Sequence, residues 1–333
     1  MKPFLKRSLA LLAGAALVLT ASGCAASSPD ADADADPASG DVGESRTISH
    51  QFGTTEVSGT PERVVALGIT DSDTLLALGI TPVALRPWNG VDSVGVWAED
   101  ELGDAQPEVL STTDEITVEQ VAALSPDLIV DVSDAVDRGR YDLLSKVAPT
   151  VVRPKDYPDY GVPWQVSTRL IGEAVGRSDQ AERLVEETEA KIEETREKYP
   201  QLQGKTGAVV LPNPEGGWWP YTPVDSRGQF MRSLGFELPP ALAARDDGSS
   251  FYLEVSEERT DLLEADVVVA IIQPGQRALI EDNALFANLD VAKRGDVVLA
   301  ESAEIGTAMS YGTVLSIPYV LDELAPQIAE KLG

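Results

Sequence analysis

The chain holds a single cysteine and a single histidine among its 333 residues. One thiol leaves no internal disulfide and no thiolate cluster for a metal. One imidazole supplies neither a histidine-rich transition-metal site nor, unless it sits in the core, a Ser-His-Asp hydrolase, and His50 lies near the N-terminus where a surface position is expected. Positive charge is also scarce: 26 Lys+Arg stand against 55 Asp+Glu, for a net charge of -29. Such a field repels nucleic acid and anionic membrane surfaces, so an anionic ligand would need a local basic pocket. The pair Gly216-Gly217 makes neither a phosphate loop nor a dinucleotide fingerprint. The one long apolar run, 9–19, is short for a membrane span, and no second run follows it.

That run follows Lys2, Lys6 and Arg7 and precedes Ala21-Ser22-Gly23, the arrangement of a secretory signal peptide over 1–23. The small residues directly before the lone Cys24 resemble a bacterial lipobox, although leucine is commoner where Ala21 stands. The expectation is acylation at Cys24, export, and anchoring at the outer face of the cytoplasmic membrane. Residues 24–45, rich in Ala, Ser, Asp and Pro with the repeat Ala31-Asp32-Ala33-Asp34-Ala35-Asp36, bury nothing and read as a flexible acidic tether. The folded body is expected from Arg46, with length enough for two lobes.

Short aliphatic runs alternate with helical periodicity, the pattern of α/β units around parallel sheets. Strands are expected at 63–67, 81–85, 127–131, 150–153, 207–211, 266–272 and 297–300. Helices are expected at 72–78, 118–124, 141–147, 164–175, 179–199, 229–234 and 317–331, with another ending at 261–264. The 179–199 helix carries Leu184, Val185, Thr188, Ile192 and Tyr199 on one stripe, with Ser178 as its cap and Pro200 as its stop. An approximate repeat links the halves: Thr117, Glu119, Leu124 and Asp127 before one apolar strand match Ser256, Glu258, Leu263 and Asp266 before another. Division into 46–157, a connecting segment 158–200, and 201–333 follows.

With Pro61-Glu62-Arg63, the segment from Asp73 to Pro82, Glu119 through Asp127, Tyr141 through Pro149, and the stretch from Leu315, the chain resembles the periplasmic-binding-protein family that serves siderophore and cobalamin importers. The resemblance implies a class III fold: two Rossmann-like α/β lobes joined by a single long helix, with ligand in the cleft at the strand C-termini. It implies a monomeric binding protein and not an enzyme, without cofactor and without metal ligands of its own. Its cargo would be a ferric siderophore whose iron the siderophore holds. The implied partner is an ABC importer permease dimer with its ATPase subunits, docked through Glu119 and Glu258.

Residues just beyond strand ends are the ligand candidates: Arg86, Trp88, Trp97, Arg138, Arg140 and Arg153 in the first half, then Trp218, Trp219, Tyr221, Arg227, Arg277 and Tyr311 in the second. Arginine suits carboxylate, catecholate or hydroxamate oxygens, and aromatics give broad apolar walls. Cobalamin or haem on the same scaffold remains an alternative cargo. An exported two-carboxylate glycosidase and a lipid-anchored adhesin or sensor are the readings from other classes.

Overall fold

The computed structural model describes residues 45–88, 91–111, 115–300 and 303–333. The signal peptide, Cys24 and all but the last residue of the expected tether lie outside them. The strands are β1 (Ser45–His50), β2 (Gly53–Ser58), β3 (Val64–Ala66), β4 (Ala84–Leu85), β5 (Glu108–Val109), β6 (Leu128–Asp131), β7 (Thr150–Val152), β8 (Gly207–Pro212), β9 (Trp218–Pro220), β10 (Val267–Ile271) and β11 (Val297–Ala300). In the first lobe they run β5-β4-β3-β6-β7, every pair parallel. In the second they run β11-β10-β8-β9, parallel except for β9 against β8. Helices cover both faces, so β3, β6, β7 and β10 are buried at every residue, as their unbroken apolar runs require.

The sequence repeat has a common structural job. Asp127 N–H donates to Arg63 O at 3.1 Å, and its carboxylate accepts from the N–H groups of Glu62 and Arg63, clasping the entry of β3. Asp266 does the same for β8: its N–H meets Thr206 O at 3.1 Å and its Oδ2 accepts from Thr206 N–H and Oγ1–H. The preceding turns differ. Val118–Ala123 is an α-helix whose Thr117 and Gln120 form a reciprocal capping box. The second copy, Glu257–Leu263, is 3-10 instead of the expected α-helix. Arg259 stands where Gln120 does and cannot close that box; it is also the residue with non-helical backbone.

Both lobes grip the Ser178–Lys198 helix, whose 21 residues span about 31 Å at 1.5 Å per residue. Ala181 lies in the core of the first lobe and Ile192 in that of the second, so one continuous helix belongs to both. Its buried stripe is Ala181, Val185, Thr188, Ile192 and Thr195. Gly172, on the preceding Trp164–Ala174 helix, lets the two cross closely: a Cβ there would stand 2.3 Å from that of Ala181. Ser178 is the first helical residue and not a side-chain cap, Arg177 holding the cap position. Arg177 instead donates to Leu78 O, covering an end carbonyl of the Asp71–Ala77 helix.

The hairpin β1–β2 is a further element of the body, burying Ile48 and Val57 against the first lobe. It also corrects the expectation for His50, which is only 6 % exposed. Nδ1 accepts from Phe52 N–H, which presents Nε2 to Thr55 Oγ1 at 2.9 Å and leaves the ring against Tyr141. Burial, helped by the Arg138 charge, lowers its pKa, so the imidazole works as a neutral brace.

Candidate functional site

A cleft of ≈ 290 Å³ opens between the lobes, walled in the first lobe by residues beyond the C-terminal ends of its parallel strands and in the second by the segment that follows the antiparallel β9. From the first lobe come Thr70 after β3, Trp88 after β4, Ser133 after β6 and Tyr160 after β7. The second supplies Tyr221 and Arg227 after β9, Phe251 and Tyr252, and Ser310 to Thr313 at the end of the Ala303–Tyr311 helix. Trp164, at the start of its helix, forms part of the same wall. A second hollow of ≈ 340 Å³ lies within the second lobe, lined by Gly207 and Val209 of β8 together with Tyr221, whose N–H donates to Val209 O. Its lining comes from one lobe alone, whereas the cleft between the lobes joins both sheets and gathers hydroxyl, amide and charged groups.

At the back of the cleft the lobes are tied together. Asp73 Oδ2 accepts from Trp97 Nε1–H at 2.7 Å and, across the lobes, from Thr313 Oγ1–H at 2.6 Å. Trp97 continues into edge contact with Tyr311 at 5.0 Å between centroids and packs beside Tyr319. Tyr311 in turn accepts from Trp88 N–H at 2.9 Å. Burial raises the Asp73 pKa to about 6 despite the two donors, and Oδ1 has no partner among the described residues. Burial first, and the nearby Asp73 charge second, hold Tyr311 protonated far above its ordinary range.

The floor of the first lobe is set by Asp71. Its carboxylate accepts from Val132 N–H, Ser133 N–H and Ser133 Oγ–H, locking the turn after β6 to the turn after β3. Gly68 is needed beneath it, because a Cβ there would stand 2.2 Å from Asp71 Oδ2. Burial raises this carboxyl to about 6 against those hydrogen bonds.

Of the expected ligand residues, Trp88, Tyr221, Arg227 and Tyr311 line the cleft. Arg227 is not bare. Asp225 holds it bidentate, at 2.6 Å to Nε and 2.7 Å to Nη2, Ser310 Oγ accepts from Nη1 at 3.0 Å, and the guanidinium stacks 3.6 Å over the Tyr221 ring. Burial opposes that charge, but the Asp225 hydrogen bonds and charge outweigh it and raise the pKa. Arg86 pairs with Asp134, which also lies at the Tyr160 hydroxyl, so Arg86 stands behind the wall.

The other candidates lie elsewhere. Trp97 is in the seam described above. Trp218 is 2 % exposed in the second lobe's core, its indole N–H on Thr260 Oγ1 at 2.8 Å. Trp219 alternates to the other side of β9 and stacks beside Tyr252, 5.8 Å away. Arg138 donates to Phe52 O and pairs with Asp142 on the outer surface. Arg140 donates to Ile116 O, Arg153 pairs with Asp159, and Arg277 with Glu281. Each is drawn to a partner that strand-end position alone does not disclose. Glu119 and Glu258 are both exposed on the turns that lead into β6 and β10.

Sequence reasoning passed over Tyr160, Trp164, Asp225, Phe251 and Tyr252. Tyr160 and Asp225 follow β7 and β9, so the strand-end rule would have reached them had it been applied to more than arginines and the nearest aromatics. Trp164 reads as an ordinary first helical residue. Phe251 and Tyr252 sit between a polar loop and Val255 with no local signal, and Tyr252 reaches the cleft through a bridge to Tyr221.

Comparison with known proteins gives a consistent result. A family model described as periplasmic binding protein matches residues 64–303. The Fe(3+)-citrate-binding protein YfmC of Bacillus subtilis is 26% identical over 260 residues, covering 78% of this chain and 79% of that protein. A periplasmic solute binding protein from Mycobacterium smegmatis superposes with a TM-score of 0.78 at 30% identity, covering 87% of this chain and 99% of the other. The iron uptake ABC transporter substrate-binding protein PiaA from Streptococcus pneumoniae, solved also in complex with ferrichrome, superposes at 0.74 with 25% identity, covering 86% of this chain; 99% of its own chain is covered in one structure and 98% in the complex.

Proposed function

The chain belongs to the periplasmic binding protein family, and from that premise we propose that it captures a ferric siderophore in the cleft between its lobes and hands it to an ABC importer. One observation carries this reading: an aromatic-walled, hydroxyl-rich cleft lined by both lobes, which one continuous helix joins. Trp88, Tyr221 and Tyr311, with Trp164 and Phe251, offer ring faces to a bulky chelate, and Arg227 offers the N–H groups left after its bonds to Asp225 and Ser310. The siderophore satisfies the iron's coordination, so the protein need only enclose the complex. PiaA, with its iron-uptake name and its ferrichrome complex, and the Fe(3+)-citrate-binding protein support a ferric cargo.

Glu119 and Glu258 are the acids offered to a permease dimer carrying its ATPase subunits. They are exposed, repeat-related, and placed on equivalent turns of the two lobes. Cys24 is the proposed acylation point, holding a monomer at the outer face of the cytoplasmic membrane. The function is binding without turnover. Among the described residues lining the cleft, Asp225 is the one carboxylate, and Arg227 occupies both its oxygens, so a two-carboxylate glycosidase finds no pair there.

The test is a screen by tryptophan fluorescence and native mass spectrometry against ferric hydroxamates, ferric catecholates, ferric citrate, haem and cobalamin. Saturable one-to-one binding of a ferric chelate is expected. Binding of haem or cobalamin with no ferric chelate retained would replace this reading.

A further inference from the structure

The cleft's aromatic walls say that the cargo is bulky; its charges say more. Among the described lining residues the charged groups are Asp225 and Arg227, locked together through two hydrogen bonds, with a net charge of zero. The groups immediately behind the wall lean negative. Arg86 is matched by Asp134 at the Tyr160 hydroxyl. Asp73 lies behind Thr313, a lining residue, and Asp71 behind Ser133, another. Neither carboxylate has a salt bridge among the described residues. Of the expected basic candidates, Arg138, Arg140, Arg153 and Arg277 lie outside the lining and serve carboxylates and carbonyls of their own.

A ferric ion bound by three hydroxamates, each carrying one negative charge, makes an uncharged core. Three catecholates, each carrying two, make a core of charge −3, and citrate complexes are likewise anionic. Inside a desolvated cleft that surplus has to be met by cations, or its lost hydration goes uncompensated. Here the one lining cation is already spoken for. Building on the ferric-siderophore reading above, we infer that the cleft selects an uncharged or cationic ferric trishydroxamate, and that Asp225 is the residue that excludes anionic chelates by neutralising Arg227.

Asp225 is well placed for that role. It caps the Ser226–Ser233 helix by accepting from Arg227 N–H, so its carboxylate is fixed before any ligand arrives. Arg227 cannot swing away to meet an anion without abandoning two charge-assisted bonds and the stack on Tyr221. The guanidinium is left as a directional donor of N–H groups to neutral hydroxamate oxygens. The hydroxyls of Thr70, Ser133, Ser226 and Ser310 add neutral polar contacts around it.

The experiment measures Kd by fluorescence quenching for a ferric trishydroxamate, a ferric tricatecholate and ferric citrate, on the wild type and on Asp225→Asn. The wild type is expected to bind the trishydroxamate at least about tenfold more tightly than either anionic chelate, with little dependence on salt. Asp225→Asn, which keeps the shape and frees the Arg227 charge, should narrow that ratio by about tenfold, mostly through tighter binding of the anionic chelates. Thermal denaturation checks that the variant is folded. Should it not be, one trishydroxamate carrying either an ammonium or a carboxylate arm reads the same selectivity on the wild type, with the cationic form favoured. Tighter wild-type binding of the tricatecholate or citrate complex, or of the carboxylate-bearing form, overturns the charge filter while leaving ferric-siderophore capture intact. Failure to bind any ferric chelate overturns both.

Discussion

Replacing Asp73 with asparagine probes the seam that joins the lobes behind the cleft. The carboxyl is fully buried, and burial carries its pKa from 3.8 to about 6 against the bonds from Thr313 and Trp97. A pKa higher in the folded chain than in the unfolded one means that folding strengthens proton binding. This group therefore stabilises the fold as pH falls through about 6, and the gain is complete below 3.8. At 1.36 kcal/mol per pKa unit the separation amounts to about 3 kcal/mol in full, of which roughly 2.4 kcal/mol develops between pH 7 and pH 4. Asparagine keeps an oxygen for both donors and does not titrate. Its NH₂ group would fall at the Oδ1 position, which has no partner among the described residues, and that loss offsets the relief of burying a charge. The expected variant is close to the wild type at neutral pH and lacks the titration. Burial also raises the Asp71 pKa to about 6 and holds that of Asp131 well above its ordinary value, so wild-type stability contains their contributions as well. Subtracting the Asp73→Asn curve from the wild-type curve isolates Asp73. Urea unfolding followed by tryptophan fluorescence from about pH 4 to pH 8 gives both curves. A difference that stays flat across that range would refute the placement of a buried, ionisable carboxylate at the seam.

Three further outcomes are expected. Thr260→Val leaves the buried Trp218 N–H without its 2.8 Å acceptor and should cost about 1–3 kcal/mol in urea unfolding while barely changing ligand affinity. Gly228→Ala would set a Cβ 2.0 Å from the Thr222 carbonyl, so the Asp225–Arg227 loop must shift; a loss of about 1–3 kcal/mol together with weaker ligand binding by titration is the predicted result. Glu119→Ala and Glu258→Ala, both on exposed turns, should leave thermal stability and ligand Kd unchanged and lower iron uptake by cells, each alone and more strongly together.

Much of the architecture was legible in the chain because it is locally encoded. The buried runs at β3, β6, β8 and β10 carry their strand identity in consecutive apolar residues, and the 178–198 helix carries its own in a 3.6-residue stripe. The repeated aspartates announced two copies of one plan, and both clasp the neighbouring strand in the same way. Short elements were less visible. The hairpin β1–β2 and the Ala303–Tyr311 helix draw their stability from packing on the lobes, and the second copy of the repeat lost its α-helix where arginine replaced the capping glutamine.

The sequence by itself determined two α/β halves around parallel sheets, a helical connector, and a supply of arginines and aromatics near strand ends. Only the tertiary structure decided which of those side chains face ligand and in what charge state. Arg86 meets Asp134 from 48 residues away, and Thr313 reaches Asp73 across 240. Secondary structure follows from neighbours in the chain, whereas the availability of a charge depends on which partner the fold carries to it, and a burial pattern along the sequence does not contain that information.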